Sequence, residues 1–309
     1  MAGEFEVCFP AEDWPQGTQL AMDALDVVEE IESQLSFFRP DSQISRINAL
    51  AADGPVEVEP WLFELLALAM RVYEESEGAY DITATPLWEA WGFARRAGRM
   101  PSEAELAEAR RNVGGHLVEL DPARHTIRFR RPGVRISLGS LGKGCALDRC
   151  RQRLAGSGMG DFLLHGDQSS VLAQGPAWEV GLRSPDPPER RLGVIRLLDR
   201  ALGTSGVQFQ SFRHQGRRYG HLMDPRTGWP AEGVLSTTVV APTATLADAL
   251  STALFVMGPA QALDYCRSHP EIGVIVISPG PYNGDIEVQA AGLAEDVWSP
   301  APAASEAAE

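Results

Sequence analysis

The sequence has few cysteines, no long apolar run and a deficit of basic residues, and each shortage excludes a class of protein. It contains 4 cysteines in 309 residues, none in a CxxC pair, so neither a disulfide framework nor a cysteine-rich metal site is expected. No apolar run approaches the roughly 20 residues needed to cross a bilayer. The 42 acidic residues outnumber the 27 lysines and arginines, which argues against nucleic acid or an anionic membrane as a partner.

The N-terminal segment "MAGEFEVCFPAEDWPQ" has no basic stretch followed by an apolar one, so no signal peptide is expected. Together with the sparse cysteines, this predicts a cytoplasmic protein that does not insert into membranes. With a net charge of −15, a site for an anionic ligand would need local positive charge, from a metal, a helix N-terminus or a few basic side chains.

Sequence patterns predict strands and helices without a regular alternation of the two, which favours an α+β fold over a doubly wound sheet. Helices are predicted near residues 17–36, 60–75, 145–158 and 245–257, and Ser102 with Glu105 has the spacing of a capping box at another helix. Strands are predicted at 4–9, 117–120, 126–130, 133–138, 161–166, 178–183, 193–198, 236–241 and 273–278. Residues 37–48 are predicted to form a loop. Residues 1–295 are expected to form one domain, and 296–309 a disordered acidic tail.

The glycine-rich turn "SLGSLGKGCAL" is the first candidate site. Gly139, Gly142 and Gly144 would allow a ligand to approach the backbone, and the following helix N-terminus offers N–H groups to an anion. Lys143 adds a positive charge. The turn does not match the phosphate-binding P-loop, and tight packing of the strand against the helix is an equally simple interpretation.

In "APTATLADALSTALFVMG", Asp248 and Thr252 are four residues apart and lie on one face of a predominantly apolar helix. A buried carboxylate must be paired, hydrogen-bonded or bound to a metal. Carboxylate and hydroxyl oxygens suit Mg²⁺. Alternatively, Asp248 stabilises the helix N-terminus and Thr252 bonds back to its own helix.

The stretch "HLMDPRTGWP" concentrates polar groups on a predicted loop, among them His221, Asp224 and Thr227. The histidines of the chain do not have the spacing of a zinc site, so His221 is either a functional group or a hydrogen-bonded structural residue. A solvated turn is the alternative for the whole stretch.

Two further segments offer small polar groups or aromatic rings. "ALGTSG" ends a predicted strand with Thr204, Ser205 and Gly206, which either line a ligand or form a plain turn. "GAYDITATPLWEAWGF" combines Tyr80, Asp81 and Thr83 with tryptophans, which either build the core or flank a flat ring. Together these features indicate a site for a phosphate-bearing aromatic ligand held with Mg²⁺.

Five segments, in order, resemble motifs of the FAD:protein FMN transferases, often called the ApbE family. They are "LSFFRPDSQISRIN", "GAYDITATPLWEAWGF", "SLGSLGKGCALD", "TSGVQFQSFRHQGRRYGHLMDPRTGWP" and "APTATLADALSTALFVMG". The resemblance extends from about residue 35 to 258 and implies a fold related to the T-fold, with two lobes of mixed antiparallel sheet and helices and a ligand cleft between them.

The resemblance also implies an activity: cleavage of FAD and transfer of FMN to a threonine hydroxyl of an acceptor protein, with Mg²⁺ and release of AMP. It implies that Asp248 and Thr252 bind the metal, helped by a backbone carbonyl of the 139–142 turn, and that His221 and Asp224 act in catalysis. The residues implied in FAD binding are Tyr80, Asp81, Thr83, Lys143, Thr204, Ser205, Gly206 and Thr227.

Two positions depart from the motifs. Ser137 stands where the family usually has aspartate, and Asp167 in "LLHGDQSS" stands where it generally has glycine. A carboxylate at 167 would crowd or repel the ligand, or add a metal ligand. Two other functions therefore stay open: hydrolysis of FAD to FMN and AMP, and binding of FAD without catalysis.

Overall fold

The computed structural model describes residues 3–185, 187, 189–207, 210–282 and 284–301. The helices are α1 (Gly17–Leu35), α2 (Gln43–Leu50), α3 (Pro60–Glu75), α4 (Thr85–Ala90), α5 (Glu103–Arg111), α6 (Gly142–Gly156), α7 (Ala244–Met257) and α8 (Pro259–Ser268). The strands up to residue 206 are β1 (Phe5–Cys8), β2 (Val56–Glu57), β3 (Val118–Asp121), β4 (Thr126–Phe129), β5 (Phe162–Gly166), β6 (Ser170–Gln174), β7 (Trp178–Arg183), β8 (Arg191–Leu197) and β9 (Ala201–Gly206). The later strands are β10 (Ser211–His214), β11 (Arg217–Gly220), β12 (Met223–Asp224), β13 (Trp229–Pro230), β14 (Ser236–Ala241), β15 (Gly273–Pro279), β16 (Ile286–Ala291) and β17 (Trp298–Pro300).

The main sheet is antiparallel, and within the described residues it has seven strands in the order β1-β5-β6-β9-β14-β15-β16. Strand β14, "STTVVA", is buried along its whole length, as its central place in the sheet requires. It pairs Thr237 with Ser205 and Thr238 with Thr204. This register places the small polar end of β9 beside the buried middle of the sheet.

Helix α7 packs on β9 and β14 and also contacts α3, α6 and α8. Because it has neighbours on several sides, most of its residues are buried, and Leu250, Leu254 and Phe255 belong to the largest apolar cluster. Among the described helices, none is both long and apolar enough to span a bilayer.

Smaller sheets flank this centre. Within the described ranges, β17-β8-β7 and β2-β4-β3 each form a sheet of three strands, and β10-β11 and β12-β13 form two-stranded hairpins. These mixed antiparallel sheets and helices confirm the α+β class. The two lobes and the cleft between them stay predictions.

Many of the predicted elements occur, and α3 has the predicted bounds. The capping box at α5 is also present: the Ser102 hydroxyl accepts from the Glu105 N–H while the Glu105 carboxylate accepts from the Ser102 N–H. Strong local patterns therefore predicted these elements correctly.

The four cysteines, all among the described residues, are free.

The predicted loop at 37–48 is wrong in its second half, where α2 begins at Gln43. Ser42 caps this helix by accepting a hydrogen bond from the Ser45 N–H over 3.0 Å, and Ile44 and Ile47 are fully buried on its inner face. Two buried isoleucines three residues apart are too short a pattern to distinguish a helix from a loop.

The predicted strand at 133–138 is also wrong. No strand is assigned to these residues, and the Asn48 side chain bonds to their backbone instead. Its Oδ1 accepts from the Ile136 N–H at 2.8 Å and its Nδ2 donates to the Ile136 carbonyl at 2.9 Å. The Ser137 N–H donates to the Ile82 carbonyl over 3.0 Å. The alternating apolar residues Val134, Ile136 and Leu138 are buried, but their pattern did not predict the hydrogen-bond partners of the backbone.

The disordered tail was predicted to begin at residue 296, but a strand lies beyond that point. Trp298–Pro300 form β17, and Trp298 pairs with Ile195 of β8. Residues 302–309 of the predicted tail lie outside the described residues.

Candidate functional site

Asp248 is a buried carboxylate whose two oxygens both accept hydrogen bonds. Its Oδ2 accepts from the backbone N–H of Gly144 at 2.7 Å, and its Oδ1 accepts from the Ser170 hydroxyl at 2.7 Å. Gly144 lies in the first turn of α6. Asp248 therefore lies at the N-terminus of a neighbouring helix, where partial positive charge favours an anion, and its side chain does not cap its own helix.

Burial raises the pKa of Asp248 to about 6, although the nearby charge of Lys143 and the hydrogen bonds from Ser170 and Gly144 act in the opposite direction. The raised pKa means that Lys143 and the two hydrogen bonds do not fully offset the cost of burying the negative charge. A cation beside it would favour its ionised form.

Thr252 lies one turn after Asp248 on α7, close to the end of β9. Its hydroxyl oxygen is 3.1 Å from that of Ser205 and 3.5 Å from the Asp248 carbonyl oxygen. Ser251 also contacts Ser205, with 2.9 Å between the hydroxyl oxygens. Thr252 therefore lies close to the backbone of its own helix, as expected if its hydroxyl bonds back to that helix. It also contacts Ser205 of β9.

Lys143 provides positive charge at the first turn of α6. Its ammonium donates to the Ser169 hydroxyl and lies 3.9 Å from Oδ2 of Asp167. Ser169 is in turn 3.4 Å from Ser170, measured between hydroxyl oxygens. A continuous chain of polar contacts therefore runs from Asp167 through Lys143 and Ser169 to Ser170, which donates to Asp248.

His221 is anchored by the backbone of Gln210. Its Nδ1 and its backbone nitrogen each lie 3.1 Å from the carbonyl oxygen of Gln210. Burial lowers the pKa of His221, and the charge of Lys143 lowers it further, against the opposing effect of the Gln210 hydrogen bond. Because a carbonyl only accepts, Nδ1 carries the hydrogen and the neutral ring presents the lone pair of Nε2.

Tyr80 connects the glycine-rich turn to the same region. Its buried hydroxyl lies 3.0 Å from the Ser140 hydroxyl. Burial raises the pKa of Tyr80, and the negative charges of Asp248 and Asp81 raise it further. Tyr80 therefore stays protonated and can donate a hydrogen bond.

The other residues expected to bind FAD use their polar atoms within the protein. The Thr83 hydroxyl donates to Asp81 Oδ1 at 2.6 Å and accepts from the Gly114 N–H at 2.8 Å. Thr204 is 2.9 Å from Thr238, measured between hydroxyl oxygens. Burial raises the pKa of Asp81 to about 6, and the hydrogen bonds from Thr83 oppose this. Gly206 is buried opposite Ser236 in the sheet.

Asp224 and Thr227 close the β12-β13 hairpin. The Asp224 carboxylate binds Arg226 through two oxygens, at 2.9 Å to Nε and 3.0 Å to Nη2. The Thr227 hydroxyl contacts the Asp224 carbonyl oxygen at 3.4 Å and accepts from the Trp229 N–H at 3.2 Å. Their contacts are those of a turn, and none of them reaches Asp248.

Sequence reasoning missed Ser170 and Asp148. Ser170 donates to Asp248. Asp148 of α6 accepts from the backbone N–H groups of Ala244 and Thr245 at 3.0 and 2.9 Å and so adds to the cap that Thr243 provides for α7. The hydroxyls of "DQSS" are a weak signal for the first role. Nothing local indicates the second, because Asp148 and its partners are separated by 96 and 97 residues.

Asp248 and Thr252 offer oxygen donors of the kind that Mg²⁺ prefers. Each Asp248 oxygen accepts one hydrogen bond and keeps a further acceptor position. Within the described ranges, no group of three His, Cys, Asp or Glu side chains is placed to hold a metal. A cation held by these two residues would take its other ligands from water, a backbone carbonyl or a bound phosphate.

Comparison with known proteins gives consistent matches. The model of the ApbE family matches residues 4–276. A FAD:protein FMN transferase of Treponema pallidum is 32% identical over 274 residues, which are 82% of this chain and 75% of that protein. The crystal structure of an ApbE protein of Thermotoga maritima has a TM-score of 0.79 at 32% identity, covering 87% of this chain and 88% of that one. The flavin transferase ApbE of Vibrio cholerae has a TM-score of 0.83 at 25% identity, covering 94% of each chain.

Proposed function

The chain belongs to the ApbE family, and from this membership we propose that it transfers FMN from FAD to a threonine hydroxyl of an acceptor protein, with Mg²⁺ and release of AMP. The names of its relatives support flavin transfer from FAD. The threonine acceptor and the Mg²⁺ requirement are part of the proposal. The observation that carries it is the buried Asp248, held at the N-terminus of α6 and one helical turn from Thr252.

Asp248 and Thr252 would hold the metal ion, with a backbone carbonyl of the 139–142 turn. Bound Mg²⁺ would supply positive charge against the diphosphate of FAD during the transfer. The magnitudes favour such a cation: a helix N-terminus contributes roughly 0.3–1 kcal/mol to anion binding. Two unit charges about 4 Å apart at an effective dielectric near 20 interact by about 4 kcal/mol.

His221 would accept the proton of the incoming hydroxyl. The threonine oxygen forms a bond to the phosphorus of the FMN half, the bond from that phosphorus to the bridging oxygen breaks, and AMP leaves. The neutral imidazole with Nδ1 on the Gln210 carbonyl is suited to this role because Nε2 is its free acceptor. Lys143 would bind a phosphate oxygen, and Tyr80, Thr204, Ser205 and Gly206 would line the FAD site.

We propose an indirect role for four of the predicted site residues, namely Asp81, Thr83, Asp224 and Thr227. Their side chains bond to neighbouring turn residues, and Thr83 also to the Gly114 N–H, so they would shape the walls of the site. Rearrangement of these turns would be needed before they bound FAD directly.

Transfer and hydrolysis need the same diphosphate site and differ in the group that accepts FMN. The reaction products therefore distinguish them. The protein is incubated with FAD, Mg²⁺ and a threonine-bearing acceptor polypeptide, and the products are separated under denaturing conditions. Covalent flavin fluorescence on the acceptor together with AMP supports the transferase. Free FMN and AMP without labelled acceptor support an FAD hydrolase, and tight binding of intact FAD supports a non-catalytic binder.

We place the reaction in the cytoplasm, a choice that the unpaired cysteines support.

A further inference from the structure

Asp167 has an uncommon backbone conformation beside the site. Its φ of 57° lies in the left-handed region, which aspartate and asparagine adopt more readily than most other side chains. The turn between β5 and β6 is fixed here, since the Asp167 N–H donates to the Glu4 carbonyl over 2.6 Å. A position that would suit glycine therefore carries a carboxylate.

This carboxylate faces Lys143. The distance of 3.9 Å between Asp167 Oδ2 and Lys143 Nζ is at the long end for an ion pair. The two side chains are 33% and 23% exposed, respectively. Asp167 thus holds the ammonium loosely, and an incoming anion can reach it.

Lys143 is also the cation that acts on both Asp248 and His221. A diphosphate bound at the N-terminus of α6 would draw the Lys143 ammonium toward itself. The Asp167 carboxylate would oppose this in two ways, by retaining the ammonium and by repelling the diphosphate, and both effects depend on charge.

We propose that Asp167 competes with the diphosphate of the ligand for Lys143 and thereby weakens FAD binding when no divalent cation is present. The identity of the ligand rests on the proposed function. The competition itself rests on the arrangement of Asp167, Lys143 and Ser169.

The test is the dissociation constant for FAD, measured by the change in flavin fluorescence with EDTA at low ionic strength. Asp167→Asn keeps the size and the left-handed tolerance of the side chain but removes its charge. We expect a dissociation constant roughly two- to fivefold lower, the range of a partly exposed ion pair. In the Lys143→Gln background, Asp167→Asn should not lower the dissociation constant. When Lys143 is present, added salt should reduce the gain in affinity that Asp167→Asn gives.

Asp199→Asn is the matched control. Asp199 also has a left-handed φ, of 49°, but its carboxylate accepts from Gln174 and from the Gly175 N–H, away from Lys143. This variant loses the same formal charge and should leave FAD binding unchanged.

Three outcomes overturn the inference while the proposed function stands. These are no gain in Asp167→Asn, a gain that persists without Lys143, and an equal gain in Asp199→Asn. Absence of FAD binding in the parent protein and in every variant, with and without Mg²⁺, overturns the proposed function and the inference together.

Discussion

The backbone N–H of Gly144 donates to Asp248 Oδ2 over 2.7 Å, and this contact joins the start of α6 to α7. A Cβ on residue 144 would lie 2.6 Å from the Thr245 nitrogen and even nearer to the Ala244 carbonyl. The two helices can approach this closely because residue 144 has no side chain. The glycine-rich turn therefore serves tight packing, here of helix on helix, and the same packing brings the N–H to the carboxylate.

Gly144→Ala should destabilise the protein, because backbone atoms of α7 would have to move to make room for the added methyl group. Overpacking of this kind costs roughly 1–3 kcal/mol. Urea unfolding followed by circular dichroism measures the loss. Gly156→Ala, at the other end of α6 where an added Cβ meets nothing within 4 Å, should be neutral or slightly stabilising. Equal losses in both variants would show that the α6–α7 contact is not the cause.

Asp248 should make the stability of the metal-free protein depend on pH. Its pKa rises on folding from 3.8 to about 6, so between these values the native state binds more protons than the unfolded state. Its contribution to the free energy of unfolding is therefore present below pH 4 and is lost as the pH rises to about 6. A shift of about two units corresponds to roughly 3 kcal/mol.

Comparison of the parent with Asp248→Asn over pH 4–7 isolates this effect. The free energy of unfolding of the variant relative to the parent should increase across the interval, and Mg²⁺ should stabilise the parent more than the variant at pH 7. A difference that is flat with pH would contradict the raised pKa of Asp248.

His221→Ala should slow the chemical step more than it weakens FAD binding, because the neutral ring would act on the proton of the acceptor hydroxyl. General-base catalysis contributes roughly 10²–10⁴-fold, so kcat should fall by that order while the dissociation constant for FAD changes little. Single-turnover kinetics with a separate binding titration measure the two. Equal losses in both would make His221 a binding residue.

Asp148→Ala should reduce both stability and activity, because Asp148 adds to the cap of the helix that carries Asp248. Loss of a cap costs roughly 0.5–2 kcal/mol. Ser102→Ala removes the cap of α5 and provides a control with a similar cost in stability. At a temperature where both variants are folded, only Asp148→Ala should lower the rate of FAD turnover. Similar rates in the two variants would assign Asp148 a role in stability alone.

The sequence predicted best where structure depends on near neighbours. The apolar period of α3 and the capping box of α5 are complete within their own segments, and both were found. The segment 133–138 was mistaken for a strand because its partner is the side chain of Asn48. Such a pairing leaves no pattern in the segment itself.

The candidate site shows the same limit. Asp248 and Thr252 could be singled out because a carboxylate in an apolar helix needs a partner. The partners, Gly144 and Ser170, lie 104 and 78 residues away, and only the fold brings them together. The contacts of Asp224 with Arg226, in contrast, are local, and turn residues adjacent in sequence often satisfy one another.

The most direct test of the account is the amount of FMN transferred from FAD to a threonine-bearing acceptor by the parent protein and by Asp248→Ala, each with Mg²⁺ and with EDTA. The parent should label the acceptor and release AMP only with Mg²⁺, and the variant, shown to be folded by circular dichroism, should do neither. Undiminished Mg²⁺-dependent labelling by the Asp248→Ala variant would contradict the central claim that this carboxylate holds the metal.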